Sequence, residues 1–163
     1  MKIPYDARPK SGCNGRSAVP DYLIDTNVLI EHLRGKPEVV DFLIALEERG
    51  SLYFSVLSEA EVYVGMQEDE REQTEALFDA LFGLPVTREV AQLGGGYRQR
   101  YRHEGVGLID ALIAATAVLG DLVLVTYNHR HFPMPNLWVV CPPIRERAAY
   151  AVRGEEDILP ASD

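Results

Sequence analysis

The feature that most restricts the fold is the alternation of short apolar runs with longer segments of helical spacing. The apolar runs of strand length cover residues 22–24, 51–56, 122–126 and 137–140. Strands buried on both faces form short continuous apolar runs, and the helices that connect them make neighbouring strands parallel. The sequence therefore predicts an α/β protein, a three-layer sandwich with a mostly parallel central sheet flanked by helices.

The 163 residues suit one domain of ordinary size with segments outside it. Residues 1–20 are rich in Gly, Pro, Ser and charge and predict a poorly ordered N-terminal arm. The folded domain is predicted to span residues 21–141. Residues 142–163 begin with two prolines and end acidic, and they predict a C-terminal extension with a short helix and a loose tail.

Apolar residues spaced by three and four predict the helices. The predicted helices cover residues 28–33, 38–48, 58–65, 74–82, 87–103 and 108–119. The run Gly94–Gly96 should weaken the fifth of these. The sixth, Leu108–Leu119, is apolar on nearly every side and is predicted to be wholly buried. Residues 84–86 predict a brief edge strand, because Pro85 has no backbone N–H for a sheet.

The sequence excludes several classes of protein. No apolar run has the roughly 18 residues needed to cross a bilayer, and the N-terminus lacks the apolar core of a secretory signal. The two cysteines, Cys13 and Cys141, do not predict a disulfide and fit a reducing cytoplasm, so a cytoplasmic location is expected.

The formal charge of −9 argues against simple electrostatic binding of nucleic acid, which depends on Lys and Arg. However, carboxylates that bind divalent cations do not remain negative in the loaded protein. Basic residues are also concentrated locally, in Arg98–His103 and in His129–His131. Global charge therefore does not exclude nucleic-acid binding.

Three acidic residues occupy the positions where an α/β protein places its ligands. Asp25 follows the first predicted strand, Glu61 lies in the first turn after the second, and Asp110 opens the buried helix. Ligands of such sheets bind beyond the C-terminal ends of the strands. Because like charges held close together oppose folding unless a cation lies between them, the cluster predicts a site for Mg²⁺, with Mn²⁺ able to substitute.

Each acid also has a purely structural interpretation. Asp25 could cap the helix that follows it. Ser58 and Glu61 match the capping-box pattern at the start of a helix. Asp110 at a helix start is favoured by the helix dipole alone. The cysteines and the four scattered histidines form no zinc-binding pattern.

Four segments, in order, resemble the signatures of PIN-domain proteins. They are Tyr22–Ile30, Phe54–Gly65, Ile109–Ala117, and Leu124–Asn128 followed by Phe132. The resemblance covers about residues 21–140. Within the family, the VapC-like toxins of type II toxin–antitoxin systems are the most similar in size and motif form.

This resemblance implies an endoribonuclease that depends on Mg²⁺ or Mn²⁺ and cleaves single-stranded or structured RNA. Asp25, Glu61 and Asp110 would be its catalytic residues and metal ligands. The residues that would support the site through hydroxyl and amide groups are Thr26, Asn27, Thr126 and Asn128. The resemblance also implies a homodimer and an inhibiting antitoxin protein as partner.

One departure from the family pattern favours an alternative. Relatives commonly carry a further Asp at the position of Asn128 or of His131, and neither residue is acidic here. Asn128 still offers a carbonyl oxygen, whereas His131 is a poor ligand for Mg²⁺. A one-metal site, or a catalytically weak or inactive PIN-like module that binds RNA or protein, is the alternative. An aspartyl-phosphate enzyme is disfavoured, because Asn27 stands where such phosphatases usually have a second Asp.

The arginines allow two interpretations. Arg98, Arg102 and Arg130 are candidates for binding the RNA backbone, with Tyr97 or Tyr101 stacking on bases. Arg98 and Arg102 would share one face of a helix. Alternatively, these charges only solvate an exposed face.

Overall fold

A single parallel sheet organises the computed structural model, which describes residues 19–143. Its strands are β1 (Asp21–Ile24), β2 (Leu52–Ser55), β3 (Phe82–Leu84), β4 (Leu122–Val125) and β5 (Val139–Val140). The strand order is β3-β2-β1-β4-β5, and every neighbouring pair is parallel. The predicted α/β class with a parallel central sheet is therefore confirmed.

Helices connect the strands and cover both faces of the sheet. They are α1 (Thr26–Leu33), α2 (Pro37–Glu47), α3 (Val56–Gly65), α4 (Arg71–Ala80), α5 (Arg88–Arg100) and α6 (Leu108–Leu119). Short 3-10 turns lie at Glu68–Glu70, Arg102–Glu104 and His129–His131.

The central strand β1 contributes to two separate cores because successive side chains of a strand point to opposite faces. Tyr22 and Ile24 pack in one core with residues of α1, α2 and α4. Leu23 packs in the other with residues of α5 and α6. All three side chains are fully buried, and Leu23 and Ile24 each contribute about 1.5–3 kcal/mol of hydrophobic stabilisation. The sheet is thus the middle layer of the predicted sandwich.

The register of the sheet places the ends of two strands side by side. Ile24, the last residue of β1, is opposite Val125, the last residue of β4. The backbone N–H of Asp25 then donates to the carbonyl of Val125 over 2.9 Å. As a result, Asp25 and Thr126, which follow these strands, lie next to each other at the C-terminal edge of the sheet.

Several element boundaries differ from the sequence-based prediction, the start of α3 and the position of β3 among them. Helix α3 begins at Val56 rather than Ser58, because Ser55 at the end of β2 is its N-cap and accepts from the backbone N–H of Leu57 over 3.2 Å. Strand β3 starts at Phe82, which was predicted to end a helix, and it ends before Pro85. It is an edge strand, as the proline indicated.

The triple glycine does not interrupt α5, contrary to the expected weakening. The helix is continuous from Arg88 to Arg100. Gly94 faces α6, where an added Cβ would be 2.7 Å from Cδ2 of Leu112, whereas a Cβ on Gly95 or Gly96 would meet nothing within 4 Å. The close approach of α5 and α6 at Gly94 therefore compensates for the low helix propensity of glycine.

Helix α6 is less buried than its composition predicted. Its middle is buried, but Leu108 and Leu119 at its two ends are 55% and 45% exposed. The apolar composition of the helix therefore overestimated the burial of its ends.

The predicted N-terminal arm and most of the C-terminal extension lie outside the described residues, as does Cys13. Cys141 is buried and forms no disulfide with any described residue. Across residues 19–143, no helix has both the length and the apolar character needed to cross a bilayer.

Candidate active site

Asp25 is the centre of the candidate site and is held by two hydrogen bonds. Its carboxylate caps α1, with Oδ1 accepting from the backbone N–H of Thr26 over 2.8 Å. Oδ2 accepts from the hydroxyl of Thr126 over 2.7 Å. Only 5% of Asp25 is exposed. The capping role and a catalytic role are therefore compatible, since each oxygen retains a lone pair that these bonds do not use.

The hydroxyl of Thr126 uses all of its hydrogen-bonding capacity. Besides donating to Asp25, it accepts from Nδ2 of Asn27 over 3.2 Å and from the backbone N–H of Asn128 over 3.0 Å. Oδ1 of Asn27 in turn accepts from the backbone N–H of Tyr127 over 3.2 Å. Because both lone pairs of the hydroxyl are occupied, its proton can only point at Asp25.

Burial raises the pKa of Asp25 to about 6. The hydrogen bonds from Thr126 and Thr26 oppose this rise because they stabilise the anion, while the negative charges of Asp110 and Glu61 add to it. The carboxylates from three separate segments therefore share one electrostatic environment. A cation among them would remove part of the cost of keeping Asp25 ionised.

Glu61 lies on α3, and its Oε2 accepts a 2.5 Å hydrogen bond from the hydroxyl of Thr26. The capping-box interpretation of Ser58 and Glu61 is therefore wrong. Ser58 is inside the helix, and its buried hydroxyl has no hydrogen-bond partner among the described residues. Because the helix starts after Ser55 instead, Glu61 is free to turn toward Thr26 and the site.

Asp110 lies in the first turn of α6, and about 30% of its side chain is exposed. Its Oδ2 is 3.3 Å from Nδ1 of His131, in the turn that follows β4. From the sequence, His131 was treated only as a poor ligand for Mg²⁺, and this contact was missed. The one available signal was its position, which is one of the two where the family pattern described above commonly has an Asp.

The donors present fit a hydrated hard cation rather than a closed metal cage. Within residues 19–143, no group of three His, Cys, Asp or Glu side chains is arranged to hold a metal ion. Mg²⁺, however, is usually bound through one or two carboxylates and keeps several waters. Asp25, Asp110 and Glu61 supply such oxygens, and the charges of Asp110 and Glu61 add to the rise in the pKa of Asp25 that burial mainly causes.

The residues predicted to bind RNA differ in whether solvent can reach them. Arg98, Arg102 and Arg130 are all exposed. Arg102 lies beyond the end of α5 and its Nε donates to Nε2 of His103, so it does not share a helix face with Arg98 as predicted. Tyr97 and Tyr101 are buried in the core with α6, so the suggestion that they stack on bases is wrong.

Replacing Thr126 with Val should raise the pKa of Asp25 further, because the main hydrogen bond that stabilises its anion is lost. The variant should also lose about 1–3 kcal/mol of stability, since Asn27 and the Asn128 N–H lose their acceptor. Chemical denaturation measures the stability, and titration followed by NMR measures the pKa. Thr126→Ser keeps the hydroxyl and should leave that pKa unchanged; an equal shift in both variants would contradict the argument.

Comparison with known proteins identifies the family of the chain. The PIN domain family model matches residues 22–134. The chain therefore belongs to the PIN-domain family, and the resemblance noted in the sequence is confirmed.

Within that family the chain is similar to Ribonuclease VapC19 of Mycobacterium tuberculosis. The two are 42% identical over 115 residues, which make up 69% of this chain and 92% of VapC19. Among solved structures, the fold resembles that of VapBC2 from Rickettsia felis, which was solved bound to a DNA fragment from its promoter. The TM-score is 0.68, and the sequence identity is 21%. The match covers 76% of this chain and 99% of the matched chain. A toxin–antitoxin complex from Klebsiella pneumoniae matches with a TM-score of 0.61 at 29% identity, over 71% of this chain and 94% of the matched chain.

Proposed function

We propose that this protein is a Mg²⁺- or Mn²⁺-dependent endoribonuclease that cleaves single-stranded RNA and acts as the toxin of a toxin–antitoxin pair. Ribonuclease activity follows from its membership of a family whose relatives are ribonucleases of the VapC type. The observation that carries the metal dependence is the buried Asp25 carboxylate, whose pKa is raised by burial and by the charges of Glu61 and Asp110.

The residues of the site have different roles. Thr26 and Thr126 hold Asp25 in one orientation and favour its ionised form. The hydroxyl of Thr26 also holds Glu61, so one residue links α1 to α3. Asp110 is partly exposed to solvent, where a phosphodiester can approach. When bound, a divalent ion would lower the pKa of a water and neutralise charge on the scissile phosphate.

The partners belong to the proposal as well. Toxin–antitoxin complexes among the similar structures support an antitoxin that binds and inhibits this chain. A homodimer and a cytoplasmic location remain predictions, as does the use of Arg98, Arg102 and Arg130 to bind the RNA backbone. Their exposed guanidinium groups supply local positive charge on an otherwise acidic protein.

Adding Mn²⁺ or Mg²⁺ should raise the melting temperature of the purified protein. An ion that binds only the folded state stabilises it by RT ln(1 + [L]/Kd), so a hundredfold excess over Kd gives about 2.7 kcal/mol. Asp110→Asn should remove most of this stabilisation, while Asp121→Asn, on the exposed turn before β4, should retain it. Equal stabilisation of both variants would place the ion elsewhere.

Cleavage of a single-stranded RNA separates the proposal from its alternative. The presence of Asn128 and His131 in place of acids favours a module that binds RNA or protein without turnover. The nuclease should cut only with a divalent ion and stop when a chelator is added. RNA binding without cleavage at saturating Mn²⁺ would favour the alternative.

A further inference from the structure

His131 lies against the candidate site, yet the function proposed above gives it no role. It belongs to the turn His129–His131, which begins four residues after the last residue of β4, Val125. Its Nδ1 atom is 3.3 Å from Oδ2 of Asp110, and about half of its side chain is exposed. Its backbone N–H donates to the carbonyl of Asn128 over 2.9 Å, so the turn holds the backbone while the imidazole remains accessible to solvent and ions.

The separation of these two atoms matches two ligands of one metal ion. In an octahedral site, neighbouring ligands lie about 1.4 bond lengths apart, so bonds of about 2.1–2.3 Å place them about 3.0–3.3 Å apart. The observed 3.3 Å lies at the long end of that span. An ion slightly larger than Mg²⁺ can therefore bind both atoms as adjacent ligands at their present separation.

The nitrogen donor changes which ion such a site prefers. Mg²⁺ strongly favours oxygen ligands, whereas first-row transition ions accept imidazole nitrogen readily. Each replacement of an oxygen ligand by an imidazole therefore disfavours Mg²⁺ relative to Mn²⁺. One of the two donors that face each other here is such a nitrogen.

We propose that His131 and Asp110 bind one divalent ion together, and that the imidazole makes the site select Mn²⁺ over Mg²⁺. This inference rests on the proposed metal-dependent nuclease and specifies the ion that serves it. The alternative is that Nδ1–H of His131 only donates a hydrogen bond to Asp110 and that the imidazole does not bind the metal.

Electron spin echo spectroscopy of Mn²⁺ added to the full chain tests the assignment directly. Wild-type protein should show modulation from a coordinated nitrogen, and His131→Asn should lose it while Asp110 remains in place. His103→Asn is the matched control, because His103 is also exposed and its Nε2 instead accepts from Arg102. That control should keep the modulation.

Competition between the two ions gives the second measurement. His131→Asp replaces the nitrogen donor with an oxygen donor. The ratio of the Mg²⁺ dissociation constant to the Mn²⁺ dissociation constant should therefore be about tenfold lower in this variant than in the wild type. Suppose that the wild-type protein binds Mn²⁺ and cleaves RNA. Absence of nitrogen modulation, or a ratio of dissociation constants equal to that of His131→Asp, would then overturn the role of His131. The nuclease proposal would stand in that case. If neither ion binds and RNA is not cleaved, both proposals fail.

Discussion

Asp25→Asn is expected to abolish RNA cleavage and, at neutral pH without metal, to make the protein more stable. The loss of activity should exceed about a thousandfold, comparable to the removal of a central catalytic group. The amide carries no charge for a divalent ion, and its one oxygen replaces the two acceptor oxygens that Thr26 and Thr126 use. The stability gain has a separate cause, which is the burial of the Asp25 charge.

The direction of the stability effect follows from the pKa of Asp25, which is raised from 3.8 to about 6 by folding. A raised pKa means that the protonated acid favours the folded state, so its contribution is fully present below about pH 4 and is lost as pH rises through about 6. The shift corresponds to about 3 kcal/mol. The variant should recover about 1–2 kcal/mol of this, because a neutral amide cannot accept the Thr126 hydrogen bond as well as a carboxylate does.

Urea denaturation of both proteins between about pH 4 and pH 8, with a chelator present, measures this difference. The stability of Asp25→Asn minus that of the wild type should increase as pH rises through about 6. Saturating Mn²⁺ should reverse the order, because only the wild type gains from the ion. A difference that does not change with pH would contradict the raised pKa, and cleavage by the variant would contradict the assignment of the site.

Gly94→Val is expected to lose about 3 kcal/mol of stability, which corresponds to a decrease in melting temperature of about 10 °C. A Cβ at this position would lie 2.7 Å from Cδ2 of Leu112, 3.1 Å from its Cα and 3.2 Å from the carbonyl oxygen of Ala111. The backbone atoms cannot move aside without separating α5 from α6. The added methyl groups of valine increase the overlap.

Gly95→Val is the matched control for this prediction. It makes the same substitution one residue along the same helix, at an exposed position where a Cβ meets nothing within 4 Å. Its effect should be within about 0.5 kcal/mol of zero, because valine has a slightly better helix propensity than glycine. Equal losses in both variants would show that α5 is sensitive to any side chain and that the contact at Gly94 is not special.

The sequence was a good guide to the sheet but a weaker guide to the helix ends. Buried strands show as short apolar runs, so β1 and β4 were located to within a residue. The start of α3 was misplaced because both Ser55 and Ser58 can cap a helix, and only the end of β2 selects between them. The continuity of α5 through Gly94 depends on its packing against α6, which the local sequence of α5 does not reveal.

The sequence by itself determined the α/β class, the family and the candidate acids, because periodicity and short motifs depend on residues close together in the chain. Only the tertiary structure decided which groups those acids contact. The hydroxyl of Thr126 reaches Asp25 across 101 residues of sequence, and Glu61 pairs with Thr26 across 35. His131 meets Asp110 in the same way. Such contacts depend on strand register and packing, which place distant segments within hydrogen-bonding distance.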